Sequence, residues 1–185
     1  LPEYHFGLLS RIMVLAVFAM GYNMLFGYVG LLSLGHAMFF AAGLYGAGLS
    51  VIHLGWRLPA ALAAGIGCGA VLALLVGLLA LRTSGVAFMI VTMMFAQVFS
   101  LLILYFSAWT GGDQVPFLPQ PARSLALGAT TLDLTNPATR YGAALTLFTL
   151  ALFVTLGLVR SRYGRVLVAI REDEERTRML GYDTF

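Results

Sequence analysis

The sequence predicts an all-α fold, a polytopic transmembrane helical bundle of about five spans followed by a cytoplasmic helix. The 185 residues are 60% hydrophobic and only 10% charged, and the mean hydropathy is +0.90. Soluble domains carry roughly 25% charged residues, so this chain cannot cover a surface that faces water. The apolar residues also form separate runs of about 20 residues, the length that a helix needs to cross a bilayer.

The spans can be marked in order from these apolar runs, and only one of the connections between them is long. The long connection, residues 107–140, holds four of the six prolines and is polar enough to lie outside the bilayer. The segment 160–185 is the charge-dense part of the chain, so residues 1–159 form the predicted transmembrane part. The five predicted spans are Gly7–Phe26, Leu31–Leu54, Leu58–Leu81, Gly85–Phe106 and Tyr141–Val159.

The distribution of arginine predicts the orientation, because positive residues favour the cytoplasmic side. Six of the eleven arginines lie between Arg160 and Arg178, which places segment 160–185 in the cytoplasm. Counting spans backwards places Arg82 in the cytoplasm as well, and it places the loop 107–140 outside. Both ends of the chain look cut, since it begins without Met and stops within an amphipathic stretch, so we expect a fragment of a longer multi-pass protein.

The composition disfavours an enzyme. No Asp or Glu lies within a predicted span, which removes carboxylate-based proteolysis and proton relays. The three histidines are dispersed, there is one cysteine, and no Walker lysine motif occurs. We therefore expect no catalytic residue, metal site, cofactor or nucleic-acid partner.

The third span carries a small residue at every fourth position, which predicts close helix packing. In lipid, helices associate where small residues let their backbones approach. Packing within the bundle and packing against another subunit both fit this stripe. Its members are Ala61, Gly65, Gly69, Ala73 and Gly77.

Uncharged polar residues at or near span depth are candidates for a solute pathway. Each polar side chain could instead form a helix–helix hydrogen bond. For Thr92 and His36 a structural hydrogen bond is favoured, and hydroxyls can also bond to carbonyls of their own helix. Gly27, Gly30 and Gly35 permit an interrupted helix beside a pathway, but a tight turn between spans one and two fits as well. The candidate pathway residues are Asn23, Gly30, Ser33, Gly35, His36, Thr92 and Gln97.

The C-terminal segment is predicted to form one amphipathic helix from Val166 to Leu180. Three oppositely charged pairs lie at i,i+4 spacing: Arg171 with Glu175, Glu172 with Arg176, and Glu174 with Arg178. Gly181 is a plausible C-cap. Docking on a soluble partner, a solvated helix and a helix on the lipid surface remain open, although four consecutive acids argue against an anionic leaflet.

Three stretches give the chain a family resemblance. They are GYNMLFGYVGLLSLGHAMFFAAGLYGAG (21–48), RTSGVAFMIVTMMFAQVFSLLILYFSAWTGGDQ (82–114) and SRYGRVLVAIREDEERTRMLGYDTF (161–185). The chain resembles the larger-type permease subunit of bacterial ABC importers for branched-chain amino acids. The first stretch matches a segment expected near the translocation path. Relatives usually have another glycine after GGDQ where this chain has Val115 and Pro116, so the outer loop is expected to differ.

The resemblance implies that the C-terminal segment couples the permease to its ATPases. It assigns contact roles to Arg171, Glu172, Glu174, Glu175 and Gly181. It also implies a second permease subunit, two cytoplasmic ATPase subunits, a periplasmic solute-binding protein and a location in the bacterial inner membrane. ATP hydrolysis would then take place on separate subunits.

Two other functions fit the composition. One is a passive channel or facilitator for a small solute such as urea or an amide, which would conduct without an ATPase. The other is a non-transporting membrane scaffold subunit, for which Asn23, His36 and Gln97 would be dispensable.

Overall fold

The computed structural model of the chain describes residues 3–112, 124–127, 130–133 and 136–182. Among these residues, five helices are long and apolar enough to cross a membrane. The prediction of an all-α bundle with about five spans is therefore confirmed. The chain divides into two units, residues 1–33 with 140–185 and residues 34–139, and each is described by itself.

The first unit contains the first and fifth long helices and the C-terminal segment. Helix α1 (Glu3–Asn23) continues into a π-helix (Met24–Tyr28). Helix α6 (Pro137–Arg160) is followed by the short helices α7 (Arg162–Glu172) and α8 (Glu174–Met179). Phe6 packs edge-on against Tyr141 near the starts of α1 and α6.

The second unit contains three long helices in sequence. They are α2 (Ala37–Leu54), α3 (Leu58–Ala80) and α4 (Val86–Tyr105), and α2 and α3 form the most extensive helix pair. Pro59 lies in the first turn of α3, where its missing N–H costs no helical hydrogen bond. The second long helix begins at Ala37, whereas the apolar run predicted a span from Leu31.

The long connection contains regular structure that the sequence analysis did not predict. A one-turn helix, α5 (Ser107–Thr110), follows α4. Strands β1 (Ser124–Leu127) and β2 (Thr130–Asp133) then pair antiparallel, with Leu125 opposite Leu132. Val115 and Pro116, where the sequence departs from its relatives, lie outside the described residues.

Most large apolar side chains on the long helices remain exposed. Ile66 on α3 is 75% exposed and Leu150 on α6 is 65% exposed. The buried apolar residues are few and mostly on α2 and α3, such as Met38, Ala61 and Val76. Such an apolar surface fits contact with lipid or with other helices, since these are the environments in which exposed apolar side chains carry no penalty.

Candidate functional site

The first span ends at the glycine-containing stretch 27–30. At the end of the π-helix, Leu31 N–H donates to Leu25 O at 3.1 Å. Donor and acceptor are one residue further apart in sequence than in the closing hydrogen bond of a Schellman motif. Gly30 has φ +80°, so the chain turns away from the helix axis there. Residues 29–36 connect this end to α2 without a continuous helix.

Arg171 of α7 contacts this end of the first span. Its Nη1 donates to Gly27 O at 2.7 Å, and its Nη2 lies 2.9 Å from Glu172 Oε1. The last carbonyls of a helix have no partner within it, and a cation at that end is electrostatically favourable. The arginine therefore satisfies a carbonyl that the π-helix leaves open.

Asn23 lies at the junction of α1 and the π-helix. A Cβ added at Gly27 would lie 3.1 Å from Asn23 Cγ, so the amide side chain occupies the space above that glycine. Asn23 is otherwise exposed. The structure thus places Asn23, Gly27 and Gly30 along one end of the first span.

Gly35, His36 and Thr92 lie together in the second unit. A Cβ at Gly35 would lie 2.7 Å from the carbonyl carbon of Thr92, so Gly35 packs directly on the backbone of α4. The His36 ring packs edge-on against Phe39, with centroids 5.7 Å apart. Thr92 is 2% exposed, and its hydroxyl donates to Met89 O of its own helix at 3.0 Å.

The remaining pathway candidates differ in exposure. Gln97 lies on an exposed face of α4. Ser33 is only 3% exposed, and its hydroxyl has no hydrogen-bond partner among the residues that the structure describes. A buried hydroxyl without a partner is uncommon in folded proteins, which makes Ser33 the most unusual of the polar candidates.

The C-terminal segment is two helices, so the prediction of one helix from Val166 to Leu180 is wrong. Asp173 has extended backbone (φ −160°, ψ 105°) and separates α7 from α8. Its side chain accepts a hydrogen bond from Arg176 N at 3.0 Å and pairs with Arg176 Nε at 2.9 Å. Arg176 thus pairs with Asp173 and not with Glu172, because the interruption removes the i,i+4 geometry. Asp is a favoured N-cap residue.

Helix α8 carries two of the three acidic candidates and is followed closely by Gly181. Glu174 and Glu175 lie in its first turn and Arg176 and Arg178 in its last, which complements the helix dipole at both ends. Gly181 follows with φ +86°, and its N–H donates to Arg178 O at 3.0 Å.

A groove of about 550 Å³ lies between α7 and α8. Leu180, which lines the groove, is 76% exposed, and the preceding residue, Met179, is 83% exposed. Helix α8 thus has exposed acidic side chains in its first turn and exposed apolar side chains at its end and just after it. The residues lining the groove are Arg162, Arg165, Val166, Ala169, Thr177, Leu180 and Tyr182.

The small-residue stripe of α3 packs on α2 along half of its length. A Cβ at Gly65 would lie 2.6 Å from Gly43 O and 3.0 Å from Ala47 Cβ. Gly69 lies beside Phe39 O, and Ala61 is buried. Ala73 is exposed, and a Cβ at Gly77 would meet nothing within 4 Å in the described part of the chain.

No group of three or more His, Cys, Asp or Glu side chains that could hold a metal ion occurs in residues 3–112, 124–127, 130–133 and 136–182.

Two contacts were missed by the sequence analysis. Arg171 was expected to face a partner, and its bond to Gly27 joins residues 144 positions apart. Tyr45 of α2 donates its hydroxyl to Gly112 O at 2.8 Å and was not considered at all. No local sequence pattern signals either contact, because both depend on which helices lie side by side.

Comparison with known proteins agrees with this architecture. Residues 4–185 match the family model described as branched-chain amino acid transport system, permease component. The chain is 31% identical over 187 aligned residues to the high-affinity branched-chain amino acid transport system permease protein LivM of Salmonella typhimurium strain LT2. It is 30% identical to the protein of the same name from Escherichia coli strain K12. No solved structure matches the chain.

Each alignment covers 91% of this chain and 44% of the relative. The chain thus spans less than half the length of the curated relatives that it matches. The match over nearly all of this chain, together with the apolar helices, makes it part of a multi-pass membrane protein. The chain belongs to the family of permease components of branched-chain amino acid transport systems.

Proposed function

We propose that this chain is part of the permease subunit of an ATP-binding-cassette importer in the bacterial inner membrane. It would form part of the transmembrane path for branched-chain amino acids or related small polar solutes. Family membership supports the transport role, and the relatives that match are named as high-affinity branched-chain amino acid permeases. A second permease subunit and a periplasmic solute-binding protein would complete the importer.

The observation that carries the proposal is the surface of α7 and α8. We propose that two cytoplasmic ATPase subunits supply the energy and that one of them binds this surface. Support comes from its exposed acids, Glu174 and Glu175, and from the exposed apolar residues Met179 and Leu180. An exposed apolar patch rimmed by charge is typical of a protein-binding surface.

The solute pathway would use polar groups that do not require charge. Ser33 supports this proposal best, since its buried hydroxyl has no partner among the described residues. Asn23 and Gln97 have amide side chains at exposed positions of apolar helices. At membrane depth such amides require hydrogen-bonding partners from protein, water or solute. ATP-driven movement would expose these groups to the two sides of the membrane in turn.

Co-purification tests the proposal. The full-length protein is purified from its native membrane, and the proteins that accompany it are identified by mass spectrometry. We expect nucleotide-binding subunits in the preparation. A preparation without them that still conducts solute in proteoliposomes would establish the passive channel and contradict the importer.

Substitutions on α8 locate the docking surface. Glu174→Gln with Glu175→Gln should weaken ATPase binding, and Glu174→Arg with Glu175→Arg should weaken it further, because charge complementarity fixes partners and their register. Arg57→Glu, at an exposed position between α2 and α3, is the matched charge-reversal control and should leave ATPase binding unchanged. Equal ATPase binding by all three variants would contradict docking on α8.

A further inference from the structure

Within the first unit, helix α7 is attached at its start to the end of α6 and at its end to the end of the first span. At its start, Ser161 caps α7 by accepting from Gly164 N at 3.4 Å, and the Ser161 hydroxyl also donates to Leu158 O of α6. At its other end, Arg171 Nη1 donates to Gly27 O at 2.7 Å. The 11-residue helix is about 16 Å long. It therefore forms a strut between the end of the fifth span and the end of the first.

The attachment to the first span depends on the shape of its last turn. Gly30 has a left-handed backbone (φ +80°), and a Cβ there would lie 2.7 Å from Arg171 Cγ. A residue with a side chain would thus be strained by its backbone and would also displace the arginine stem. Gly27 supplies the carbonyl and Gly30 supplies the space, so two features of the same turn fit one side chain.

Glu172 holds the guanidinium in place. Its Oε1 lies 2.9 Å from Arg171 Nη2, so the two nitrogens of the planar fork are engaged by different acceptors. A lysine has a single ammonium nitrogen in place of the planar fork, so it could not contact Gly27 O and Glu172 Oε1 through two separate nitrogens. The Arg171 side chain is 41% exposed, so the contact gains its specificity from geometry and not from burial.

We propose that Arg171 is a positioning residue that transmits movement of α7 and α8 to the first membrane-spanning helix. This inference rests on the proposed function, in which an ATPase binds α8. Without the Arg171 hydrogen bond, α7 would remain attached to α6 at Ser161 and Gly164, and its other end would lose this link to the first span. With Arg171 in place, a push on α8 reaches the π-helix at Met24–Tyr28 and moves the end of the first span.

Hydrogen exchange of the assembled transporter separates transmission from docking. The full-length permease is reconstituted with its partner subunits, and amide exchange is followed with and without ATP and vanadate in peptides covering residues 24–31 and 174–182. In the unmodified transporter both peptides should respond to the nucleotide. In Arg171→Met the response at 174–182 should remain, whereas the response at 24–31 should fall by about tenfold, within the usual range of coupling between linked sites.

Two further variants and one control make the test specific. Arg171→Lys keeps the charge but not the fork, so it should retain only part of the response at 24–31. Gly30→Ala leaves Arg171 intact and should lose that response as Arg171→Met does. Arg160→Met makes the same chemical change at an exposed position of α6 and should behave as the unmodified protein does.

The outcomes distinguish this inference from the proposed function. An unchanged response at 24–31 in Arg171→Met, with 174–182 still responding, would overturn transmission and leave ATPase docking intact. No response at 174–182 in the unmodified transporter would overturn both. As a functional readout, leucine uptake per ATP hydrolysed should fall in Arg171→Met while the ATPase rate persists, whereas a merely structural defect would lower both together.

Discussion

Gly35 and Thr92 are in backbone contact, with no room for a side chain between them. A Cβ at Gly35 would lie 2.7 Å from the Thr92 carbonyl carbon and 3.3 Å from its Cβ. Thr92 lies within the first half of α4 and cannot move without moving that helix. The contact therefore fixes the turn that precedes α2 on the face of α4, and His36 follows directly in the chain.

Gly35→Ala should destabilise the protein by about 1–3 kcal/mol, the usual cost of overpacking. The added methyl group would force the turn away from α4, because the atom that it meets is backbone and not the end of a flexible side chain. Denaturation of the purified full-length permease in detergent measures the change. Gly77→Ala is the control, since a Cβ there meets no described atom within 4 Å; equal stabilities of the two variants would contradict the tight contact.

Gly65→Ala should loosen the pair formed by α2 and α3. A Cβ at Gly65 would lie 2.6 Å from Gly43 O, so the helices would have to separate, and helix pairs in lipid depend on such close approach. We expect a loss of about 1–3 kcal/mol. Gly67→Ala lies on the same helix and meets no described atom within 4 Å. Thermal unfolding of both variants should show a lower midpoint for Gly65→Ala only.

Hydropathy predicts where the spans lie but not where each helix begins. The run from Leu31 to Leu54 is apolar enough overall to predict one span, yet its first residues are not helical and α2 begins at Ala37. The helix start depends on Gly30 turning the chain and on Gly35 packing against Thr92. The second of these is a contact between distant residues, which a count of apolar residues cannot detect.

The division of the C-terminal segment could have been predicted from its own residues. Asp173 is followed by two acids in the first turn of α8 and two arginines in its last turn. This is the pattern of a short helix that has an N-cap and charges that complement its dipole. The i,i+4 charge pairs suggested a longer helix, and the capping preference of Asp173 prevailed. The partner of Arg171 could not be predicted in this way, because Gly27 lies 144 positions earlier.

Tyr45→Phe should release the segment that follows α5. The Tyr45 hydroxyl donates to Gly112 O at 2.8 Å, across 67 positions of sequence, and its removal leaves a buried carbonyl without that donor. We expect a loss of about 0.5–1.5 kcal/mol and faster amide exchange in residues 107–112. Tyr105→Phe is the matched control, because Tyr105 is 82% exposed, and its exchange should equal that of the unmodified protein.

Asp173 controls whether α8 exists as a separate helix, so its variants should affect that helix in a graded way. Asp173→Ala removes the cap on Arg176 N and the ion pair with Arg176 Nε, and it should cost about 1 kcal/mol in the stability of α8. Asp173→Asn retains a capping oxygen and loses only an exposed ion pair, which contributes about 0–1 kcal/mol.

Amide exchange in residues 174–182 measures the effect, and we expect it to be fastest in Asp173→Ala and nearly unchanged in Asp173→Asn. If an ATPase docks on α8 as proposed, its binding should follow the same order, because a partner that recognises α8 must also supply the free energy of ordering it when the cap is missing. If Asn and Ala accelerated exchange equally, the ion pair and not the cap would hold α8. The stability of the short helix would then depend on salt concentration, since exposed charges are screened by ions.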